Sequence, residues 1–236
     1  MKILALDTSS IVGTVALLDG EKLAGEIIVN YKRTHSQQLM PMIQDLLESC
    51  ALKPKDIDVF AVSLGPGSFT GLRIGVSTMK AMAQALDKPI VGISTLDGLA
   101  FNLLYSQGII CPIIDAQRDM VYTASYRWSG EDFQQVKDYE MIHIDEMIQR
   151  FDGETESIIF VGDAVEKLKE RIQHSLKKRA VFPPGMVAMA RASAIGELAR
   201  RAVIEGRVQK PEDVMPIYMR KSEAEKQFEA KMKGRE

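Results

Sequence analysis

The sequence predicts an α/β fold of two similar lobes, and three observations lead to it. Short runs of apolar and β-branched residues alternate with longer runs of three- and four-residue apolar spacing. The order strand, strand, strand, helix, strand, helix occurs once before Gly108 and begins again after it. At 236 residues with 46% hydrophobic content, the chain is long enough for two lobes that each bury a core.

The first lobe opens with β-like runs at Ile3–Leu6, Val12–Leu18 and Leu23–Val29, joined by short turns containing Ser or Gly, which reads as a three-strand meander. Thr34 and Gln37 have capping-box spacing ahead of a helix carrying Leu39, Ile43, Leu46, Leu47 and Cys50 on one face, with a kink expected at Pro41. A continuous apolar strand follows at Ile57–Leu64, then a glycine-rich turn, a helix over about Gly71–Leu86, a strand at Pro89–Ile93 and a helix over about Thr95–Tyr105.

The second lobe repeats the plan. Ile109–Ile114 end at Asp115 as Ile3–Leu6 end at Asp7, and Asp115-Ala-Gln-Arg echoes Asp7-Thr-Ser-Ser. Val121–Trp128 and Phe133–Met141 supply the next strands, Ile144–Phe151 a short helix, Ser157–Val161 a strand, Ala164–Leu176 a helix, and Met186–Glu205 a long closing pattern. Duplicated βββαβα units with mixed sheets covered by helices describe a pair of ribonuclease-H-like lobes. The expected boundaries are 1–106 for the first lobe, 107–220 for a reduced second lobe, and 221–236 for a charged, frayed tail.

Bulk properties restrict the function. Thirty Lys and Arg against 32 Asp and Glu give a net charge of −2, whereas a protein gripping RNA unaided carries a basic stripe. Direct RNA binding by this chain alone is therefore disfavoured. Only four apolar residues separate Lys2 from Asp7, and no apolar run approaches the roughly 20 residues of a membrane helix, so a cytoplasmic location is expected. Cys50 and Cys111 sit in apolar stretches without CxxC spacing, as small core residues do; no disulfide is expected.

The most specific segment is Ser63-Leu-Gly-Pro-Gly-Ser-Phe-Thr-Gly-Leu-Arg-Ile-Gly75. It lacks the Lys of a Walker loop, and Thr70 stands where a GxGxxG fingerprint needs glycine. Two readings stand side by side. Gly65 and Gly67 supply turn geometry while Thr70 caps a helix, or free amides at the helix start join Ser68 and Thr70 in holding an anion.

This segment resembles the GPGSFTGLRIG run of the TsaB (YeaZ-like) family, and Ile3-Leu-Ala-Leu-Asp-Thr-Ser-Ser10 resembles that family's N-terminus. Asp115-Ala-Gln-Arg-Asp-Met-Val-Tyr122, Gly162-Asp-Ala164 and Pro216-Ile-Tyr-Met-Arg220 agree, in the right order over nearly the whole chain. The resemblance implies the acetate-kinase, sugar-kinase, Hsp70 and actin type of fold. It also implies a non-catalytic subunit working with the catalytic TsaD and the ATPase TsaE. Together they carry threonylcarbamoyl from threonylcarbamoyl-adenylate to N6 of the adenosine 3′ of the tRNA anticodon.

The relative TsaD presents an HxxxH pair to a catalytic metal; here His35 is followed four residues on by Leu39, and His143 and His174 have no ligand spacing. No metal site and no catalytic residue are expected. Asp7 and Asp115 occupy strand ends that approach bound phosphates in kinases of this superfamily, so Asp7, Thr8, Ser9, Ser68 and Thr70 are nucleotide or anion candidates. The bland alternative is a hydrogen-bonded turn. The expectation is no cofactor of the chain's own, with ATP or ADP at an interface shared with TsaD. Two rival classes are a small-molecule kinase, using Asp7 and Asp115 around a nucleotide, and a metallopeptidase, which would need tightly bound metal.

For a partner surface, the second helix carries a stripe of Leu72, Val76, Met79, Ala83 and Leu86 beside a small-residue flank of Ser77, Ala81 and Ala85; the first carries Met40 and Met42 beyond its main stripe. Met40, Ile43, Leu46, Leu47, Val76, Met79 and Ala83 are the expected docking face, for TsaD or, when alone, for a second copy. The alternative is that both stripes are simply core.

Overall fold

The computed structural model describes residues 1–30 and 35–219. Two five-stranded sheets form its frame. In the first, β1 (Lys2–Asp7), β2 (Gly13–Asp19), β3 (Lys22–Val29), β4 (Val59–Ser63) and β5 (Ile90–Ile93) lie in the order β3-β2-β1-β4-β5. In the second, β6 (Ile109–Asp115), β7 (Met120–Ser129), β8 (Asp132–His143), β9 (Ile158–Val161) and β10 (Ala180–Val181) lie in the order β10-β9-β6-β7-β8. Each sheet is an antiparallel meander with two parallel strands added at its far side. The duplicated α/β plan is therefore the fold.

The helices are α1 (His35–Ser49), α2 (Phe69–Ala85), α3 (Thr95–Phe101), α4 (Ile144–Gln149), α5 (Ala164–Leu176), α6 (Gly185–Ala188) and α7 (Ala192–Ile204). Helix α1 continues through Pro41. Its expected capping residue, Thr34, lies outside the described residues, as does the tail from 220 onward. Helix α3 stops at Phe101 rather than Tyr105, and Tyr105 takes a left-handed conformation at φ 56°. The long closing pattern divides into α6 and α7 because the backbone turns extended at Met189 and Arg191.

The two halves of the chain exchange helices across the expected boundary at 106–107. Helix α3, from the first half, packs Leu96, Leu99, Ala100 and the following Leu103 against Ile110, Ile114, Ala124 and Tyr126 of the second sheet. Helix α7, from the second half, packs Ala192, Ile195, Ala199 and Ala202 against Ile3, Ala5, Ala16, Leu18, Ala61 and Val91 of the first. Val214 is buried with α1 and α2 in the core on the opposite face of the same sheet. Small residues permit this. A Cβ on Gly98 would stand 2.6 Å from Ile195, and one on Gly196 would run into Leu18.

The start of α7 is capped by the first lobe. Its N-cap Arg191 offers no side-chain cap, and the orphan amides go elsewhere: Ala192 N–H donates to Thr14 Oγ1 at 3.3 Å and Ser193 N–H to Glu26 Oε1 at 2.9 Å, while the Arg191 guanidinium pairs with the nearly buried Glu26. Likewise Asp97 on α3 accepts from Tyr126 at 2.6 Å and Tyr139 at 2.9 Å, fixing α3 to β7 and β8. No described helix is long and apolar enough to cross a membrane.

A fragment spanning 1–106 leaves the Ile3, Ala5, Ala16, Leu18 face of its sheet without α7 and should not fold by itself. It is expected to bind ANS, to lack near-ultraviolet circular dichroism and to aggregate. A cooperative thermal transition in the fragment, resembling that of the whole chain, would show that the exchange is dispensable.

Candidate functional site

The ends of β1 and β6 face one another across a cleft of about 830 Å3. Asp7 closes β1 and is 1% exposed. Its Oδ1 accepts from Ser9 N at 2.8 Å and Ser9 Oγ at 2.6 Å. Burial pushes the Asp7 carboxyl above the usual carboxylate range, opposed by its hydrogen bonds to Ser9 and Ser63 and weakly by the charge of His35. Asp115 forms the same turn in the second half, its Oδ1 accepting from Gln117 N at 2.8 Å, and Lys167 stands 3.3 Å from its other oxygen. Asp163 Oδ1 accepts from the Asp115 amide at 3.1 Å. Burial, joined by the neighbouring charge of Asp115, raises the Asp163 carboxyl despite its backbone hydrogen bonds.

The glycine-rich segment has a structural explanation. Ser68, not Thr70, caps α2, accepting from Gly71 N at 3.2 Å. Ser68 N–H donates to Ser9 O at 2.6 Å, and Thr8 Oγ1 donates to Gly71 O at 2.8 Å. A Cβ at Gly67 would collide with Ser9 O, one at Gly71 with Thr8 O, and one at Gly75 with Thr8 Oγ1. Thus Gly67, Gly71 and Gly75 form a seam along which the β1–β2 turn lies directly on α2. Of the five anion candidates, Asp7, Thr8 and Ser9 are buried in this seam, while Ser68 and Thr70 are exposed at the helix start. Ser9 and Ser68 reach the cleft wall; Thr70 is not among its lining residues.

His35 Nε2 lies 2.8 Å from Ser10 O, so this imidazole holds the same turn. Among the described residues no group of three or more His, Cys, Asp or Glu is arranged to hold a metal ion. Cys50 and Cys111 are free thiols packed in different cores, and burial drives the Cys111 thiol up to about 12.

The expected docking residues divide sharply. Met40 is 51% exposed, but Ile43, Leu46, Leu47, Val76, Met79 and Ala83 are buried against Leu4, Leu6, Val15, Leu17 and Phe60. Those six belong to the first lobe's core, and of them Ile43 and Leu47 also reach the wall of a surface groove. The outward surface of α2 is instead the flank Ser77, Ala81 and Ala85, all exposed. Along α1 and the turn that follows it, with Met82 of α2 at one side, runs a groove of about 840 Å3 whose lining includes Met40, Pro41, Gln44, Glu48, Leu52 and Lys53. The sequence pattern singles out none of Gln44, Leu52 and Met82, while the small-residue flank it does single out on α2 is exposed.

With this geometry in hand, likeness to known proteins becomes informative. A family model described as TsaD, tRNA N6-adenosine threonylcarbamoyltransferase, matches residues 22–228. The tRNA threonylcarbamoyladenosine biosynthesis protein TsaB of Bacillus subtilis is 32% identical, over 95% of this chain and 96% of its own; that of Escherichia coli is 30% identical, over 98% and 100%. The YeaZ structure from Pseudomonas aeruginosa superposes with a TM-score of 0.78 at 26% identity, covering 92% of this chain and 99% of that one. The Clostridium difficile activator of 2-hydroxyisocaproyl-CoA dehydratase shares the fold alone, at a TM-score of 0.51 and 11% identity over 92% and 100%.

Two substitutions check the site. Gly71→Ala puts a methyl group on the Thr8 carbonyl, backbone against backbone, and is expected to cost about 3 kcal/mol in denaturant unfolding. Asp7→Asn removes a carboxyl whose native pKa is raised. A raised carboxyl stabilises the fold most at low pH and loses that contribution as pH rises through its native pKa, so the Asn variant should melt higher than wild type at pH 7.5. The advantage should vanish below the ordinary carboxylate range. Melting curves across pH 3–8 measure both ends.

Proposed function

The chain belongs to the TsaB family of tRNA threonylcarbamoyladenosine biosynthesis proteins, a tRNA-modification family and not one of peptidases, and from this premise we propose that it is the non-catalytic partner subunit of the transferase. In this reading it acts with TsaD and TsaE in moving threonylcarbamoyl from threonylcarbamoyl-adenylate to N6 of the adenosine 3′ of the anticodon. The work belongs in the cytoplasm, and tRNA is met through the complex rather than by this subunit alone.

The observation that carries the proposal is the outward side of α1 and α2. Exposed small residues at Ser77, Ala81 and Ala85 let a partner helix approach closely, and the adjoining groove offers Met40 and Met82 as adaptable apolar contacts. A surface of this kind serves TsaD in the complex and a second copy when the chain is alone, so the two assemblies compete.

The β1–β2 turn supports the non-catalytic part of the reading. In a phosphate-binding member of this fold class, the helix start at the cleft is free to meet an anion. Here Ser9 O already accepts from Ser68 N, and Ser68 Oγ accepts from Gly71 N. This counts against a small-molecule kinase. It also favours placing any ATP or ADP of the cycle where this subunit meets TsaD, with no cofactor of the chain's own.

The test uses a surface charge that the core does not feel. Ala81→Asp should fold and melt like wild type yet weaken both the homodimer and the TsaD complex by about 2 kcal/mol or more, because the carboxylate would be buried against the partner without a counter-ion. Met79 is unsuitable for this purpose, being 0% exposed. Sedimentation of both proteins, alone and with TsaD, measures the effect. Unchanged assembly in the folded variant would move the docking face to another surface.

A further inference from the structure

After α7 the chain returns across the first lobe as a strap whose end forms part of the cleft mouth. Gln209 exchanges two backbone hydrogen bonds with Ile90, at 2.9 and 3.1 Å, extending the sheet beyond β5. Lys80 on α2 then donates to Val214 O at 2.7 Å, Val214 is fully buried, and Ile217 N–H donates to Leu64 O at 2.8 Å. These anchors deliver Tyr218 to the start of α2. Its ring lies 5.0 Å from that of Phe69 at 37°; the Arg73 guanidinium sits 4.0 Å over the other ring, and Arg73 Nε donates to the Tyr218 hydroxyl at 3.3 Å. All three side chains line the cleft; Arg73 is exposed and Tyr218 is 44% exposed.

We propose that the Arg73, Phe69 and Tyr218 stack is a landing platform for one unpaired nucleobase of the tRNA anticodon loop. The inference rests on the partner-subunit reading above and assigns this subunit its own contact with the RNA. An aromatic face joined to a guanidinium plane is what single-stranded RNA recognition employs, since every base offers a π-face whatever its sequence. The platform is pre-organised, because the strap fixes Tyr218 from one direction and α2 fixes Phe69 and Arg73 from the other. The cleft behind it, at about 830 Å3, has room for a nucleotide. Its wall also carries the exposed Asp115 and Asp163, whose carboxylates repel phosphate and so favour entry of the base over entry of the backbone. One stacked base adds affinity to an RNA held mainly by the partner, consistent with a chain of net charge −2.

The experiment uses the assembled complex with TsaD and a fluorescent anticodon stem-loop RNA, read by anisotropy at fixed salt, with sedimentation of each complex as the assembly control. Tyr218→Ala and Arg73→Gln are each expected to weaken RNA binding about tenfold, the scale of one base–aromatic stack. Tyr218→Phe, which keeps the ring, should stay within about twofold of wild type, and Tyr218→Leu, which keeps bulk without the π-face, should resemble Tyr218→Ala. Unchanged RNA affinity in Tyr218→Ala would overturn the platform. Loss of TsaD assembly in that variant would overturn it too, by making the stack a protein contact. Failure of the wild-type complex to bind the RNA at all would instead sink the partner-subunit reading, and the platform with it.

Discussion

The packing of α7 on the first sheet is the constraint on which the rest of the molecule depends. The face carrying Ile3, Ala5, Ala16, Leu18, Ala61 and Val91 has no cover from its own half of the chain, because α1 and α2 occupy the opposite face and α3 has gone to the second sheet. Burial of that face, at about 25 cal/mol per Å2 of apolar surface, therefore requires the second half to be present and correctly placed. The polar contacts at the start of α7 set its register. Glu26, nearly buried, accepts from Arg191 and from the Ser193 amide, so sliding α7 along the sheet would leave a carboxylate without partners, an expensive outcome in a low-dielectric setting. Two lobes joined in this way share one fate on unfolding, and α3 and α7 pack closely where Gly98 meets Ile195.

Within that frame the duplicated halves have diverged at equivalent places. Asp7 and Asp115 end corresponding strands and make the same turn with the amide two residues on. Their surroundings differ: Asp7 is sealed beneath Ser9 and the α2 seam with its carboxyl pushed up, while Asp115 remains partly open and faces Lys167. A buried acid held against its own desolvation cost is a feature that stability alone would remove, and such groups cluster where a protein has kept or inherited a functional geometry. The second half stores strain differently, with Gln117, Arg118 and Asp119 all at positive φ in the turn that follows Asp115. Both turns border the same cleft.

The strands were legible because period-two and continuous apolar runs report burial directly, and the repeat because Asp7 and Asp115 close matching runs. Burial against what is another matter. The apolar spacing of α7 states that one face is covered, without stating by which sheet, so the second-lobe assignment of residues 192–204 followed chain order rather than packing. The burial of six of the seven expected docking residues has a related reason. Ile43, Leu46, Leu47, Val76, Met79 and Ala83 were selected as the most apolar positions, and in an amphipathic helix those positions face the helix's own sheet. The outward side of α2 is marked by the less apolar neighbours, since Ser77, Ala81 and Ala85 have little to gain from a core and are exposed. The glycine segment is ambiguous at sequence level because phosphate cradles and backbone-to-backbone seams require the same missing Cβ; the Thr8 and Ser9 oxygens packed against Gly67, Gly71 and Gly75 account for those three glycines as a seam.

Helix α2 is where these separate features meet. Its start supports the β1–β2 turn and carries the Arg73 and Phe69 stack at the cleft; its inner face buries Val76, Met79 and Ala83; its outer flank is free; and Lys80 binds the strap that delivers Tyr218. A rigid element cannot shift at one of these contacts without straining the others, for the seam tolerates no added atom and the core is closely packed. The outer flank and the cleft mouth therefore lie on one continuous helix of 17 residues. The strap reinforces that helix, because it is attached both to the middle of α2 at Lys80 and to the strand end at Leu64 beneath the helix start. The outer flank, the first core and the cleft mouth are in this way joined on one helix by covalent continuity and packing.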